Sequence, residues 1–155
     1  MPNKRKRIAL IAQDNLESDI FMSSTRLSDR VLQATNQLLK VWGMTALQYN
    51  ALKVIYRKDP QDEGLPSGEI GKGLYTRVPD VTRLLDRLAE KGWVSRQRDA
   101  ENRRVVRTRL TQIGIELVES AHAPLLELEH EQFDHLSDDE KAQLAGLLKK
   151  ALNKP

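Results

Sequence analysis

The sequence predicts a mostly helical α+β protein with one small β-hairpin. Three observations predict it. Apolar residues recur at spacings of three and four along most of the chain. Two runs, Trp93-Val-Ser-Arg-Gln-Arg98 and Val105-Val-Arg-Thr-Arg-Leu110, alternate roughly by twos on either side of a polar loop. Aromatic residues make up only 5% of the 155. That suits Leu-rich helices better than a β-sandwich, whose strands draw on aromatic and β-branched side chains.

Each element has its own signal. Ile20, Leu27, Val31, Ala34, Leu38 and Val41 form a helical stripe, widened by Phe21, Leu32 and Leu39. It predicts a long amphipathic helix from about Asp14 to Val41. Trp42-Gly43-Met44 breaks it. Thr45 and Gln48 have the spacing of a capping box, in which each side chain satisfies the other's free amide. A second helix opens there, with Leu47, Ala51, Val54 and Ile55 inside. Asp59 to Gly64 is a polar turn. Leu65-Pro66 reads as extended, and Ser67 as the cap of a short third helix reaching Leu74. Gly68, Gly71 and Gly73 weaken that helix by about 1 kcal/mol each relative to Ala, so packing must hold it.

Val78-Pro79 reads as the N-cap and first helical position of a fourth helix. Val81, Leu84, Leu85 and Leu88 line its inner face, and Lys91-Gly92 stops it. The hairpin follows, with the charged tip Asp99-Ala-Glu-Asn-Arg-Arg104. Thr111 caps a fifth helix through Ile113 and Leu117, and Pro124 marks where it can kink or break. Ser137 and Glu140 form a second capping box, opening a terminal helix with Leu144, Leu147, Leu148 and Leu152.

Composition narrows the function. Hydrophobic residues are 39% and charged ones 30%, the balance of a folded, soluble, single domain spanning 1–155. No cysteine is present, which excludes disulfides, thiol nucleophiles and thiolate metal sites. No apolar run approaches the roughly 18 residues of a membrane span. Met1 to Arg7 looks like the start of a signal peptide, but Ile8 to Ala12 is too short for its apolar core. A cytoplasmic protein without membrane contact is expected.

The net charge of +3 is unevenly spread: residues 1–76 carry +3, residues 77–109 carry +5 and residues 110–155 carry −5. Nine of the ten basic residues in the central segment are Arg. A concentrated basic region attracts a polyanion by releasing its counterions, and Arg forks to phosphates and guanine edges. A solvated face with internal ion pairs is the competing reading.

Two short helices joined by a tight turn, then a basic hairpin, make a winged helix-turn-helix. The second helix of such a pair leads into the major groove with its N-terminal residues. Arg77, Pro79, Asp80, Thr82, Arg83 and Arg87 lie on that leading turn and outer face. Asp80 either accepts from a cytosine amino group or aims a neighbouring Arg. Arg98, Arg103 and Arg104 arm the wing for phosphates or the minor groove. Trp93 reads as core under the wing. Trp42, Met44 and Tyr49 meet where the first helix joins the second. Core or dimer packing explains them, and an apolar effector site is the alternative. Glu131 and His135 stand four apart and have metal-ligand chemistry, against a solvated acidic face. Lys4 to Arg7 reads as a DNA-tracking arm, a solubilising tail or an anion-attracting patch. No cofactor is expected, and no residues pair at a spacing that marks an enzyme.

The run Val81-Thr-Arg-Leu-Leu-Asp-Arg-Leu-Ala-Glu-Lys-Gly-Trp-Val-Ser-Arg96, then Arg98-Asp-Ala-Glu-Asn-Arg-Arg104, then Arg109-Leu-Thr-Gln-Ile-Gly114, resembles the recognition helix, wing and following helix of the MarR family of bacterial regulators. Thr45-Ala-Leu-Gln-Tyr49 resembles the family's second-helix entry. The resemblance implies a homodimer on double-stranded DNA, with residues 14–41 and 111–155 as dimerisation helices and 45–110 as the winged-helix module. It implies a small aromatic acid as effector near Trp42, Met44 and Tyr49. It also makes Arg104 the minor-groove residue of an Asp-x-Arg motif whose Asp is here Asn102; Asp99 or Glu101 stands near enough to substitute. A ligand-released repressor on a near-palindromic operator is the expected function. An architectural or RNA-binding winged helix without effector control is the alternative.

Overall fold

Helix α1 spans Leu16–Leu39. The Asn15 side chain accepts from the Ser18 amide at 2.8 Å and satisfies one of its free donors. The computed structural model describes residues 15–99 and 101–153. The predicted helix start at Asp14 and the basic run Lys4 to Arg7 lie outside them. The helix ends two residues before Val41, because Lys40–Trp42 tighten into a 3-10 turn. Gly43 closes the turn at φ 65°, its amide donating to the Lys40 carbonyl at 3.0 Å.

The chain divides into two units, Met1–Ala34 and Thr35–Pro155. The first, where described, is helix α1 alone. Leu16, Ile20 and Phe21 on it are exposed. The second holds the end of α1 and every other described element.

Helix α2, Ala46–Lys58, opens with the predicted capping box: Thr45 accepts from the Gln48 amide, and Gln48 accepts from the Thr45 amide. It buries Tyr49, Ala51, Leu52, Val54 and Ile55. Leu47, expected inside, is half-buried, and Leu52 takes the deeper position. Strand β1 is the short Leu65–Pro66, followed directly by helix α3, Ser67–Gly73. Ser67 does not cap α3. It is the first helical residue, and Pro66 holds the cap position in an extended conformation with no side-chain bond. Proline lacks an amide, so nothing is lost by placing it outside the helix.

Helix α4, Val81–Glu90, ends at Lys91 and Gly92, the latter at φ 72° as the sequence predicts. Strands β2, Val94–Arg98, and β3, Val106–Leu110, form the hairpin, with Arg96 opposite Thr108. The sheet has three strands rather than two, in the order β1-β3-β2, since Leu65 and Pro66 pair with Thr108 and Arg107.

Helix α5, Gln112–Phe133, is capped by Thr111 and runs unbroken through Pro124. One missing amide bond near mid-helix does not offset the burial of Val118, Ala121 and Leu125 on either side. Helix α6, Asp138–Leu152, opens with the predicted Ser137–Glu140 capping box. The core of this unit joins Leu39, Leu52, Ile55, Ile70, Leu85, Leu88, Trp93 and Val118. Among the described residues no helix is long and apolar enough to cross a membrane.

Candidate nucleic-acid interface

Helices α3 and α4 pack closely because Gly71 faces Val81. A Cβ at Gly71 would approach Val81 Cγ2 to 3.0 Å. Between them lies a shallow groove of about 500 Å³, lined by Ser67, Lys72, Arg77, Pro79, Asp80 and Thr82 among others. The inner face of α4 buries Leu84, Leu85 and Leu88, so Thr82, Arg83 and Arg87 are turned outward and exposed.

The helix starts later than its proline signal implies. Val78 is not the N-cap and Pro79 is not helical. Asp80 is the cap, its carboxylate accepting from the Arg83 amide at 2.9 Å. Valine has no side-chain acceptor, and Asp satisfies a free donor that Val cannot. Asp80 therefore fixes the pitch of the helix start, and the negative charge sits where the helix dipole favours it.

Ion pairing sorts the ten basic residues between 77 and 109 into two groups. Arg96 pairs with Asp86 and ties β2 to α4. Arg107 pairs with Asp99. Arg109 lies 4.0 Å from Asp62. Lys91 donates to the Gly43 carbonyl at 2.8 Å and sits 4.1 Å above the Trp93 ring, which is buried under the wing as expected. The other six are Arg77, Arg83 and Arg87 on the turn and helix α4, and Arg98, Arg103 and Arg104 on the wing. Among the described residues their guanidinium groups have no ion-pair or hydrogen-bond partner, and all six are exposed. Six undischarged cations on two adjacent protrusions make a surface built for polyanions.

The wing loop is ordered by Asp99 rather than by Asn102. Asp99 Oδ1 accepts from the amides of Glu101 and Asn102, each at 2.9 Å, and Oδ2 accepts from Arg107 Nε. These donors, Arg107 foremost, hold the Asp99 carboxyl at about 2. Among the described residues Asn102 Oδ1 accepts only the Arg104 amide, at 3.2 Å. Neither of the two acids that the sequence offers as substitutes braces Arg104: Asp99 engages Arg107 instead, and among the described residues Glu101 pairs with no arginine.

A second concavity lies between α2 and α5, a cleft of about 530 Å³ lined by Tyr49, Lys53, Tyr56, Arg57, Val118, Glu119 and His122. Tyr49 is only 6% exposed, and among the described residues its buried hydroxyl has no partner. Burial and the negative Glu129 raise its pKa. Lys53 Nζ lies 5.9 Å from the Tyr49 ring. Tyr56 donates to Glu119 across the cleft at 2.8 Å. Of the three residues that sequence reading placed at an effector site, Tyr49 lines this cleft. Met44 is buried elsewhere in the core, and Trp42 is half-buried in the 3-10 turn. Sequence reading missed Lys53 and Arg57, although they follow Tyr49 at i+4 and i+8 on one helical face. It also missed Ser67 and Lys72 in the α3–α4 groove. Glu131 and His135 do not share a helical face, because α5 ends at Phe133. Among the described residues no three His, Asp or Glu side chains gather as a metal site.

The comparisons with known proteins identify the family. Residues 44–106 match the model of the MarR family. The chain is 26% identical over 128 residues to the transcriptional repressor MprA of Escherichia coli (strain K12), covering 83% of this chain and 72% of that protein. Its fold matches MepR of S. aureus in a complex with DNA, at 30% identity and TM-score 0.77, covering 90% of this chain and 98% of that one. It also matches a mutant of E. coli MarR complexed with operator DNA, at 29% identity and TM-score 0.78, covering 90% and 99%. With its winged helix and its free arginines on helix and wing, the chain belongs to the MarR family, as a DNA-binding transcription regulator rather than an enzyme.

Proposed function

We propose that the protein is a repressor that binds a near-palindromic operator as a homodimer and is released by a small aromatic acid. The observation that carries the DNA-reading part is the set of six unpaired arginines. Arg77, Pro79, Asp80, Thr82, Arg83 and Arg87 form the major-groove element. Arg98, Arg103 and Arg104 form the wing element. Arg83 and Arg87 read base edges, and Arg104 enters the minor groove.

The homodimer is supported by apolar surface that the chain leaves open at its ends. Ile20 and Phe21 on α1, and Leu147 and Leu152 on α6, are 56%, 68%, 66% and 83% exposed. Residues 14–41 and 111–155 are the dimerisation helices in this reading, and 45–110 the reading module. Two-fold symmetry then sets the half-sites about one helical turn, roughly 34–36 Å, apart.

The effector reading rests on the α2–α5 cleft. Lys53 and Arg57 offer cations to a carboxylate, the Tyr49 hydroxyl offers an unused hydrogen bond, and Val118 and the two tyrosine rings flank an aromatic body. A ligand there releases DNA only by favouring one arrangement of the two halves over another. Coupling of about 1–3 kcal/mol is the usual scale for such a switch.

Selection of bound sites from random duplexes, followed by footprinting and sedimentation, tests this reading. A symmetric footprint with a dimer in solution is expected, and release by aromatic carboxylates from the best site. Binding without sequence preference, or tighter binding to RNA, would instead favour an architectural or RNA-binding role.

A further inference from the structure

The wing arginines sit on a loop whose shape is set from outside the loop. Asp99 Oδ1 gathers the Glu101 and Asn102 amides, and Oδ2 takes Arg107 Nε from strand β3. Arg107 Nη1 also donates to the Gly64 carbonyl at 3.0 Å. Gly64 is held in turn, since the Asp59 carboxylate accepts from the Glu63 and Gly64 amides, each at 2.9 Å. The loop closes on itself through Asp99 N to Val105 O at 2.9 Å and Val105 N to Asn102 O at 2.8 Å. Arg107 is thus a strut between the wing loop and the turn that follows α2.

We propose that Asp99 and Arg107 are positioning residues for DNA binding, which hold the wing loop so that Arg103 and Arg104 meet the duplex already in place. The proposal rests on the reading that those two arginines touch DNA. Arg103 and Arg104 on the loop, and Arg98 at the end of β2 beside it, have no side-chain partners of their own among the described residues. Without the Asp99 carboxylate, Glu101 is the one acid left in the loop beside these cations, and the loop loses two of its amide bonds. Ordering it then falls to the moment of binding and weakens the complex.

Simple charge arithmetic predicts the reverse. Asp99 is an anion beside a DNA-facing surface, so removing it strengthens attraction to phosphates. The sign of the effect therefore discriminates. Asp99→Ser is measured against an operator selected from random duplexes, in the wild-type chain and in the Arg103→Ala, Arg104→Ala background. About a tenfold loss of affinity is expected in the first and little change in the second. Asp99→Asn, which keeps an oxygen for the two amides, is expected to recover part of the loss. Hydrogen exchange of the Glu101 and Asn102 amides gives a readout that needs no DNA, and about tenfold faster exchange is expected in Asp99→Ser. Arg107→Leu keeps both amide bonds but removes the strut, and a smaller loss of affinity and a smaller rise in amide exchange than in Asp99→Ser are expected.

Tighter binding by Asp99→Ser, an equal loss in both backgrounds, or unchanged amide exchange overturns the positioning role. If removing Arg103 and Arg104 itself leaves affinity and salt dependence unchanged, the wing contact is refuted, and the positioning role with it.

Discussion

A Cβ placed on Gly114 would lie 2.1 Å from the carbonyl oxygen of Trp93. The first turn of α5 is pressed against the backbone at the wing's root, and the Thr111 amide donates to that same carbonyl at 3.1 Å. Gly114→Ala forces the two apart, and a loss of about 1–3 kcal/mol in thermal or denaturant unfolding is expected. Gly68→Ala is the control, as a Cβ there meets nothing within 4 Å. It is expected to be neutral, or stabilising by about 0.4–1 kcal/mol. Equal stability of the two variants contradicts the close packing.

Arg83→Ala and Arg104→Ala are expected to fail in different ways. Arg83, on the outer face of α4, loses about 1–3 kcal/mol of binding and relaxes preference at one base pair. Arg104, on the wing, weakens all operators evenly and lowers the salt slope by about one charge. Site selection repeated with each variant checks the division. Identical changes in base preference reject it.

Asp80 holds the start of α4, so Asp80→Ala costs stability of about 0.5–2 kcal/mol and loosens DNA binding with it. Asp80→Asn keeps a good cap without the charge. It is expected to preserve the fold and to bind DNA as well as or better than the parent, because an anion near phosphates has gone. A loss of sequence preference in Asp80→Asn at unchanged stability assigns Asp80 to base reading instead.

Tyr49→Phe separates stability from ligand response. A buried hydroxyl without a partner costs about 1–3 kcal/mol, so its removal holds or raises the melting temperature. The same change, and Lys53→Ala, are expected to blunt release of DNA by aromatic carboxylates. Titrations of operator affinity against such acids give the answer. Full release in both variants moves the effector out of the α2–α5 cleft.

Acid stability reports on Asp99. Its carboxyl titrates at about 2 in the folded chain against 3.8 ordinarily. A depressed pKa stabilises the fold above the unfolded value and loses that stabilisation as the pH falls through the folded one. Asp99→Asn is therefore expected to flatten the stability profile between about pH 4 and pH 2. A profile that falls as steeply as the parent's shows that Asp99 gives no such contribution.

What was legible in the sequence follows from how local each signal is. Thr45 with Gln48, Ser137 with Glu140, and Lys91 with Gly92 act within one turn, and each forms as read. Ser67 and Val78 misled because each sits beside a proline, and both prolines lie just outside the helices, Pro66 as the extended cap of α3 and Pro79 before the Asp80 cap of α4. The third strand was hidden, since Leu65-Pro66 is too short to alternate and pairs with Thr108 and Arg107, far along the chain. The outward arginines of α4 were readable from helical periodicity. Which arginines stay unpaired was not, because Asp86 and Asp99 choose Arg96 and Arg107 through space rather than along the chain. Asp59, Gly64 and Arg107 likewise meet only in the folded unit.

The protein's two tryptophans report on different places. Trp93 is 8% exposed beneath the wing, with the Lys91 ammonium against its ring. Trp42 sits half-covered in the turn between α1 and α2. An indole among aliphatic side chains emits further to the blue than one in contact with water, and a nearby cation shifts its spectrum. Replacing Trp42 with Phe leaves a single emitter at the wing's root. The chain thus carries its own optical gauge of the wing, free of any attached dye, and it reads during a DNA titration.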